Sequence, residues 1–508
     1  MKSWRGVPVL VSVVSGLMVG CGPVPEGEVA SGEEQSVPES EVAVEPVTVQ
    51  GGLVSNGGWE VCDDAATRVR DIHPSASSAP DELVEIKGRL IFAATDPGHG
   101  RELWVTKGAN KETSLLKDVR PGEPGSSPRS LTRVGNQVFF VAHHDATGPE
   151  LWRTDGTEKG TELVKDVFPG PAGSVPEQLT AVDDTLYFTA NDGEHGRELW
   201  RSDGTARGTV LVKDFLPGPP PGPADLGLQM LTAWDKGLAL AVYDNASFKA
   251  ALWAVDKKGR VSRLFSMDYG VFSELEPVGR QLFFTADEGS GEADLWVTRE
   301  TPGTARHVRH FDGEHPSSLT ALGDVVYFQA GAEGFFGDPG DPLHGGELWR
   351  SDGTPWGTWV VRDINPGPAS SAPSHLVVVD RTLYFAAEHR DTGRELWRSD
   401  GTPWGTWLVR DIEPGDGDSD PGNLTEESGW LFFSALRSGH GREVWYSNGK
   451  PWDTKPLMDI AAGMLEAKPL YFERSGWDVY FQATDSNGDQ ELWSVPFRPA
   501  RYCGDRTF

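Results

Sequence analysis

Apolar residues along this chain come in runs of four to six, bounded by Gly, Asp, Asn or Pro, and so read as short strands rather than helices. The runs repeat. A Trp preceded by Leu or Val stands at Trp104, Trp152, Trp200, Trp253, Trp296, Trp349, Trp397, Trp445 and Trp493, in steps of 48, 48, 53, 43, 53, 48, 48 and 48 residues. Upstream of each lies a second run, from Leu90–Ala94 to Val479–Ala483, with Leu238–Val242 its degenerate copy. A third begins earlier still, as at Leu83, Leu131 and Leu179, and a fourth follows the Trp and ends near Asp, as in Leu115–Asp118 and Val360–Asp363. Four strands per unit predict a four-stranded antiparallel meander, repeated nine times. Adjacent Leu and Trp point to opposite faces of each small sheet, so each sheet needs a neighbour on both sides. That describes a propeller blade or a stack of sheets.

The ends of the array choose between them. The last unit stops at Glu491-Leu492-Trp493-Ser494 without a fourth strand, and an orphan fourth strand, Val69-Arg70-Asp71-Ile72, precedes the first unit. Cys62 lies just before that orphan and Cys503 just after the final strand. A disulfide needs Cα atoms within about 7 Å, whereas nine sheets stacked at roughly 10 Å leave their ends on the order of 80 Å apart. The expectation is therefore an all-β chain forming a single β-propeller of about nine four-stranded antiparallel blades. An N-terminal strand completes the last blade, and a Cys62–Cys503 bond clasps the ring in an oxidising compartment. Nine blades exceeds the usual range of about four to eight, so two smaller rings with units 4 and 5 as the seam are the alternative.

Residues 1–20 carry Lys2 and Arg5 and then an apolar run from Gly6 to Gly20, too short to span a bilayer, which reads as an export signal. Residues 22–50 are rich in Pro, Glu, Ser, Val and Gly, a composition that cannot bury enough surface to fold. An acidic, flexible tether is expected over 21–58 and the propeller over 59–508. The segment Leu17-Met18-Val19-Gly20-Cys21 resembles a bacterial lipobox, with Met18 where Leu is usual. That resemblance implies lipidation of Cys21 and a lipid-anchored protein of the cell envelope. Gly22, in place of the Asp that retains many lipoproteins in the inner membrane, implies the outer membrane, on its periplasmic or surface-exposed face.

Glu150–Thr157, Glu198–Thr205, Glu347–Thr354 and Glu395–Thr402 resemble the ELWxxDGT repeat family of bacterial surface and secreted proteins, over about residues 69–497. The resemblance implies a propeller-like repeat domain and no catalytic residues. The units at Trp253, Trp296 and Trp493 depart from the motif: Ala251 and Asp294 replace Glu in the first two, and all three lack the Asp-Gly turn.

Charge narrows the partners. With 46 Lys+Arg against 76 Asp+Glu, the formal charge is −30, which repels phosphate and excludes a nucleic-acid ligand. The Asp-Gly-Thr turns at Asp155, Asp203, Asp352 and Asp400 each bring one carboxylate, whereas a calcium site wants several converging oxygens. They read as turns, with calcium the ion they would take if any, and no metal or cofactor is predicted. His99, His195 and His440 in His-Gly-Arg-Glu loops, like the Glu before each Leu-Trp, recur blade by blade. Catalysis needs one constellation, so recurrence argues for structure, and no catalytic residue is assigned.

Function is expected where the repeat breaks. Pro217–Gln229 lengthens one blade-to-blade connection, and Gly331–Gly345 lengthens a loop between second and third strands, carrying Phe335, Phe336, Asp338 and Asp341. Both lie on the same rim of a propeller and would enlarge it as a partner site. On the opposite face, Trp356/Trp359 and Trp404/Trp407 are candidate sugar-stacking platforms, with packing between turns as the plainer reading. The function expected is that of a protein- or glycan-binding or scaffolding module at the cell envelope, monomeric and touching the membrane only through its lipid. The alternatives are a propeller enzyme acting on polysaccharide or using a quinone, and a calcium-stabilised adhesin.

Overall fold

The computed structural model describes residues 58–62, 65–108, 112–217, 227–311, 315–331 and 345–503. The expected export signal, Cys21 and nearly all of the expected tether lie outside them. Blade 1 sets the pattern: Asp81–Ile86, Arg89–Asp96, Gly100–Thr106 and Ser114–Lys117 pair antiparallel in chain order. Blades 2 to 8 repeat it over 129–165, 177–213, 227–268, 271–309, 317–362, 374–410 and 422–456. Blade 9 consists of Leu470–Ser475, Asp478–Thr484 and Gln490–Pro499, and Thr67–Arg70 pairs with the last of these as its fourth strand. Nine blades thus form one β-propeller.

The Leu-Trp pair explains why neither face of a blade can stay open. Leu103 packs into blade 2 against Val138, Phe140 and Trp152, while Trp104 packs the other way, against Val69, Tyr480 and Leu492 of blade 9. Among the described residues there are nine such apolar clusters, one at each blade junction, and an open stack of nine would have one fewer. Each buried indole, at roughly 200 Å², contributes up to about 5 kcal/mol. The junctions around blades 4 and 5 are as apolar as the rest, so the two-ring alternative is excluded.

Polar latches follow the same circuit. The basic residue near the end of a fourth strand donates to the Thr carbonyl of the next blade's turn: Lys117 Nζ to Thr161 (2.6 Å), Lys165 Nζ to Thr209 (2.9 Å) and Arg410 to Thr454 (2.5 Å). Arg70, carried by the N-terminal strand, does this to Thr113 and so joins blade 9 to blade 1. The closure has one part beyond the expected strand. Trp59–Val61 pairs with Phe497–Pro499, making a fifth strand on blade 9, and Cys62 is bonded to Cys503 with Cα atoms 4.9 Å apart.

The first strands, which edge the central channel, carry a feature the repeat did not announce. In eight blades the second or fourth residue of that strand is a non-glycine at positive φ: Glu82, Ser130, Gln178, Met230, Ser318, His375, Asn423 and Tyr471. Each sits in a bulge where the register slips. Some of these side chains bridge to the next blade's edge, as when Leu131 N–H donates to Glu82 (2.9 Å) and Gln178 donates to Leu228 O (2.8 Å).

The insertion bounds need correction. Gly227–Trp234 is the first strand of blade 4, so Gly227, Leu228 and Gln229 belong to the sheet and not to the connection expected over Pro217–Gln229. The short 43-residue step has its cause here too: only Tyr269 and Gly270 separate the last strand of blade 4 from the first of blade 5.

Candidate functional site

On the rim formed by second-to-third loops and blade connections, the recurring polar residues are engaged with each other. Glu102, fully buried, accepts from Arg120 N–H (3.0 Å), Ser126 N–H (2.7 Å) and Ser126 Oγ (2.6 Å). Glu347 accepts in the same way from Ile364 N–H (2.9 Å), Ser371 N–H (3.0 Å) and Ser371 Oγ (2.5 Å). The glutamate therefore pins the blade's own exit connection under its rim, and Glu491 does so with Ser78, from the far end of the chain. His99 bonds Asp96 (2.8 Å) and His195 bonds Asp192 (2.7 Å), each closing its own loop. Arg101 and Arg197 reach back to the carbonyls of Ala79 and Val175 (2.9 Å each).

These clasps give the ring a pH dependence of definite sign. Burial pushes the carboxyls of Glu198, Glu347, Glu395 and Glu443 up to about 7. In the unfolded chain glutamate titrates near about 4.3, so between the two values the ring holds protons that the unfolded chain has released. The resulting stabilisation is complete below the lower value and is lost as pH rises through the upper one. His99 and His195, raised by their hydrogen bonds to Asp96 and Asp192, act in the same direction. The Tm is expected to fall steadily from about pH 5 to about pH 8. A melting series in which Tm rises over that range would contradict the assignment.

The Asp-Gly-Thr turns close on themselves. Asp352 Oδ1 accepts from Thr354 N–H (2.8 Å) and Oγ1 (2.7 Å), and Asp155, Asp203 and Asp400 repeat the pattern. Among the described residues no three His, Cys, Asp or Glu side chains converge to hold a metal ion. At the channel edge, Asp81, Glu82, Leu83, Val84, Leu131, Tyr471 and Phe472 line a cavity of about 340 Å³, with Glu82 already bonded to Leu131 N–H.

Differences between blades are more informative. Phe335, Phe336, Asp338 and Asp341 lie outside the described residues. On the same rim, Phe248 and Tyr269 of blade 4 stack at 5.5 Å with an 18° tilt while remaining 60% and 75% exposed. A backbone bond from Tyr269 N–H to Phe248 O (2.7 Å) holds the pair. The repeat hides this site, because it arises from a shortened connection meeting a loop some twenty residues earlier.

On the opposite face the structure separates the two expected Trp pairs. Trp356 and Trp404 stand 97% and 94% exposed. Trp359 and Trp407 do not join them: they lie on fourth strands under Arg350 (5.0 Å) and Arg398 (4.9 Å), which makes them packing residues. The partner of the exposed pair is instead Trp452, 71% exposed in blade 8. A 48-residue offset from Trp404, with Pro again preceding Trp, was the available signal. Trp356, Trp404 and Trp452 thus occupy one turn position in three consecutive blades.

No family model matches the sequence, and no curated protein matches it. Solved structures that are similar include a prolyl endopeptidase (12% identity, TM-score 0.40), covering 71% of this chain and 55% of that one. Oligopeptidase B from Leishmania major is similar at 11% identity and a TM-score of 0.42, over 73% and 53% of the two chains. The β-propeller domain of the Trilobed protease from Pyrococcus furiosus matches at 11% identity and a TM-score of 0.36, over 66% of this chain and 98% of its own. The chain therefore spans about half the length of the first two peptidases.

Proposed function

We propose that the ring is a binding or scaffolding module, exported and tethered at the cell envelope through Cys21, that holds a protein or glycan ligand on its rim. The observation that carries this reading is the stacked Phe248–Tyr269 pair, two large rings held in water on the blade whose exit connection has been cut to two residues. Exposed, preorganised aromatic pairs serve as anchors because little conformational freedom is lost when a ligand covers them. The recurring Glu and His support the same reading, since their donors and acceptors are engaged in holding the rim.

The test is a pull-down with the intact lipidated chain from its own envelope, alongside Phe248→Ala/Tyr269→Ala. Removing the pair is expected to weaken capture of the bound species by about tenfold or more while leaving Tm unchanged. Undiminished capture by the double variant would move the ligand site elsewhere.

A further inference from the structure

The face opposite the rim carries a second set of exposed aromatics, and the chain enters the ring on that same face. Third strands run from the rim to this face, so Pro499, at the end of the last one, lies on it, and Trp59 pairs with Pro499. The neighbours of Trp59 agree: Trp430 Nε1 donates to Trp59 O (2.7 Å) and Arg474 lies over its ring (4.8 Å). Trp430 opens a second strand and Arg474 stands near the end of a first strand, both beside turns of this face. Trp59, with 37 residues between it and Cys21 in the sequence, therefore lies on the side that presents Trp356, Trp404 and Trp452. The Trp row ends in blade 8, which packs directly against blade 9, where the chain enters.

We infer that this face docks on the membrane, with Trp356, Trp404 and Trp452 seated in the phospholipid headgroup layer. The inference rests on the proposed function only in taking Cys21 as the anchor, which would tether the ring to the bilayer from its entry face. Indoles belong at that depth because they combine an apolar body with one N–H donor. The turns are built to present them rigidly: each Trp follows a proline, Pro355, Pro403 or Pro451, whose φ is restricted. A sugar site would need polar groups converging beside the rings. Here the hydroxyls of Thr354 and Thr358 and one oxygen of Asp352 bond within the turn, as do their counterparts around Trp404. At the same turn position blades 2 and 3 carry exposed Lys159 and Arg207, suited to phosphate oxygens.

The test uses the chain from residue 21 onward with Cys21→Ser, so that no lipid contributes. It is co-sedimented with phosphatidylcholine vesicles, some with brominated acyl chains that quench nearby indoles, and separately with peptidoglycan sacculi. The chain is expected to bind the vesicles and to show bromine quenching. Trp356→Ala/Trp404→Ala/Trp452→Ala is expected to weaken that binding by about tenfold or more and remove the quenching, with Tm unchanged because the three rings contact solvent. Phe248→Ala/Tyr269→Ala should bind vesicles as the parent does, which keeps this result separate from the rim test. Absence of vesicle binding, equal binding by the triple variant, or a Trp-dependent loss confined to sacculi would each overturn the proposal, the last in favour of a glycan.

Discussion

Glu347→Ala is expected to destabilise the ring by about 3–5 kcal/mol. The carboxylate is fully buried and receives Ile364 N–H, Ser371 N–H and Ser371 Oγ. Truncation leaves these donors in a site sealed from water, and each orphaned donor costs about 1–3 kcal/mol. Glu347→Gln should recover part of the loss, since it keeps one accepting oxygen but turns an N–H₂ towards the other donors. By contrast Asp352→Ala, on an exposed turn of the same blade, should cost about 1 kcal/mol or less. Denaturant midpoints of the three variants check the ordering. A loss below about 1 kcal/mol for Glu347→Ala would mean that the blade connection is held by something other than this clasp.

The second large effect concerns closure. Cys62→Ser/Cys503→Ser is expected to lower stability by about 2–5 kcal/mol, because the bond links residues 441 apart in sequence and restricts the unfolded chain accordingly. The damage should be local before it is global. Thr67–Arg70 is held to blade 9 by three residue pairs and to blade 1 by the Arg70 latch, with Val69 and Ile72 buried between the two blades. Hydrogen exchange should therefore accelerate first in Thr67–Arg70 and Gln490–Pro499, while the strands of blades 3 and 4 stay protected. Uniform acceleration around the ring would show that it opens as one unit rather than from its seam, and no change in the denaturation midpoint would show that strand pairing alone closes the propeller.

Much of this was legible beforehand, and for a physical reason. A blade cannot bury either of its faces alone, so its sequence must repeat two apolar faces at a constant step, and Leu103-Trp104 and its eight copies display that requirement openly. The truncated last unit, the orphan around Val69 and the cysteines beyond them announced the closure, because a ring leaves such complementary ends. The strand at Trp59–Val61 was not legible. It is three residues long, copies nothing in the repeat, and exists only because the last third strand runs on to Pro499 and offers it an edge. The bulged residues of the first strands were hidden likewise: Glu82 and Gln178 look like ordinary polar positions until the next blade's edge lies beside them.

The candidate sites divide along the same line. Sequence alone marked Trp356 and Trp404 as unusual, but Trp359 and Trp407, three residues further on, looked equally available. Their fates part because Trp356 and Trp404 sit in turns whose polar groups bond inward, leaving the indoles to solvent, whereas Trp359 and Trp407 sit on strands beneath Arg350 and Arg398. The Phe248–Tyr269 stack needed the shortened exit of blade 4, which appears in sequence only as a missing five residues.

By itself, then, the sequence determined the number of blades, the residues that pack between them and the place where the ring closes, since all three follow from local strand patterns repeated at a fixed interval. The tertiary structure alone decided which aromatic rings reach water and on which face the chain enters. Exposure and facing depend on what other blades put beside a residue, and no periodicity along one chain encodes that.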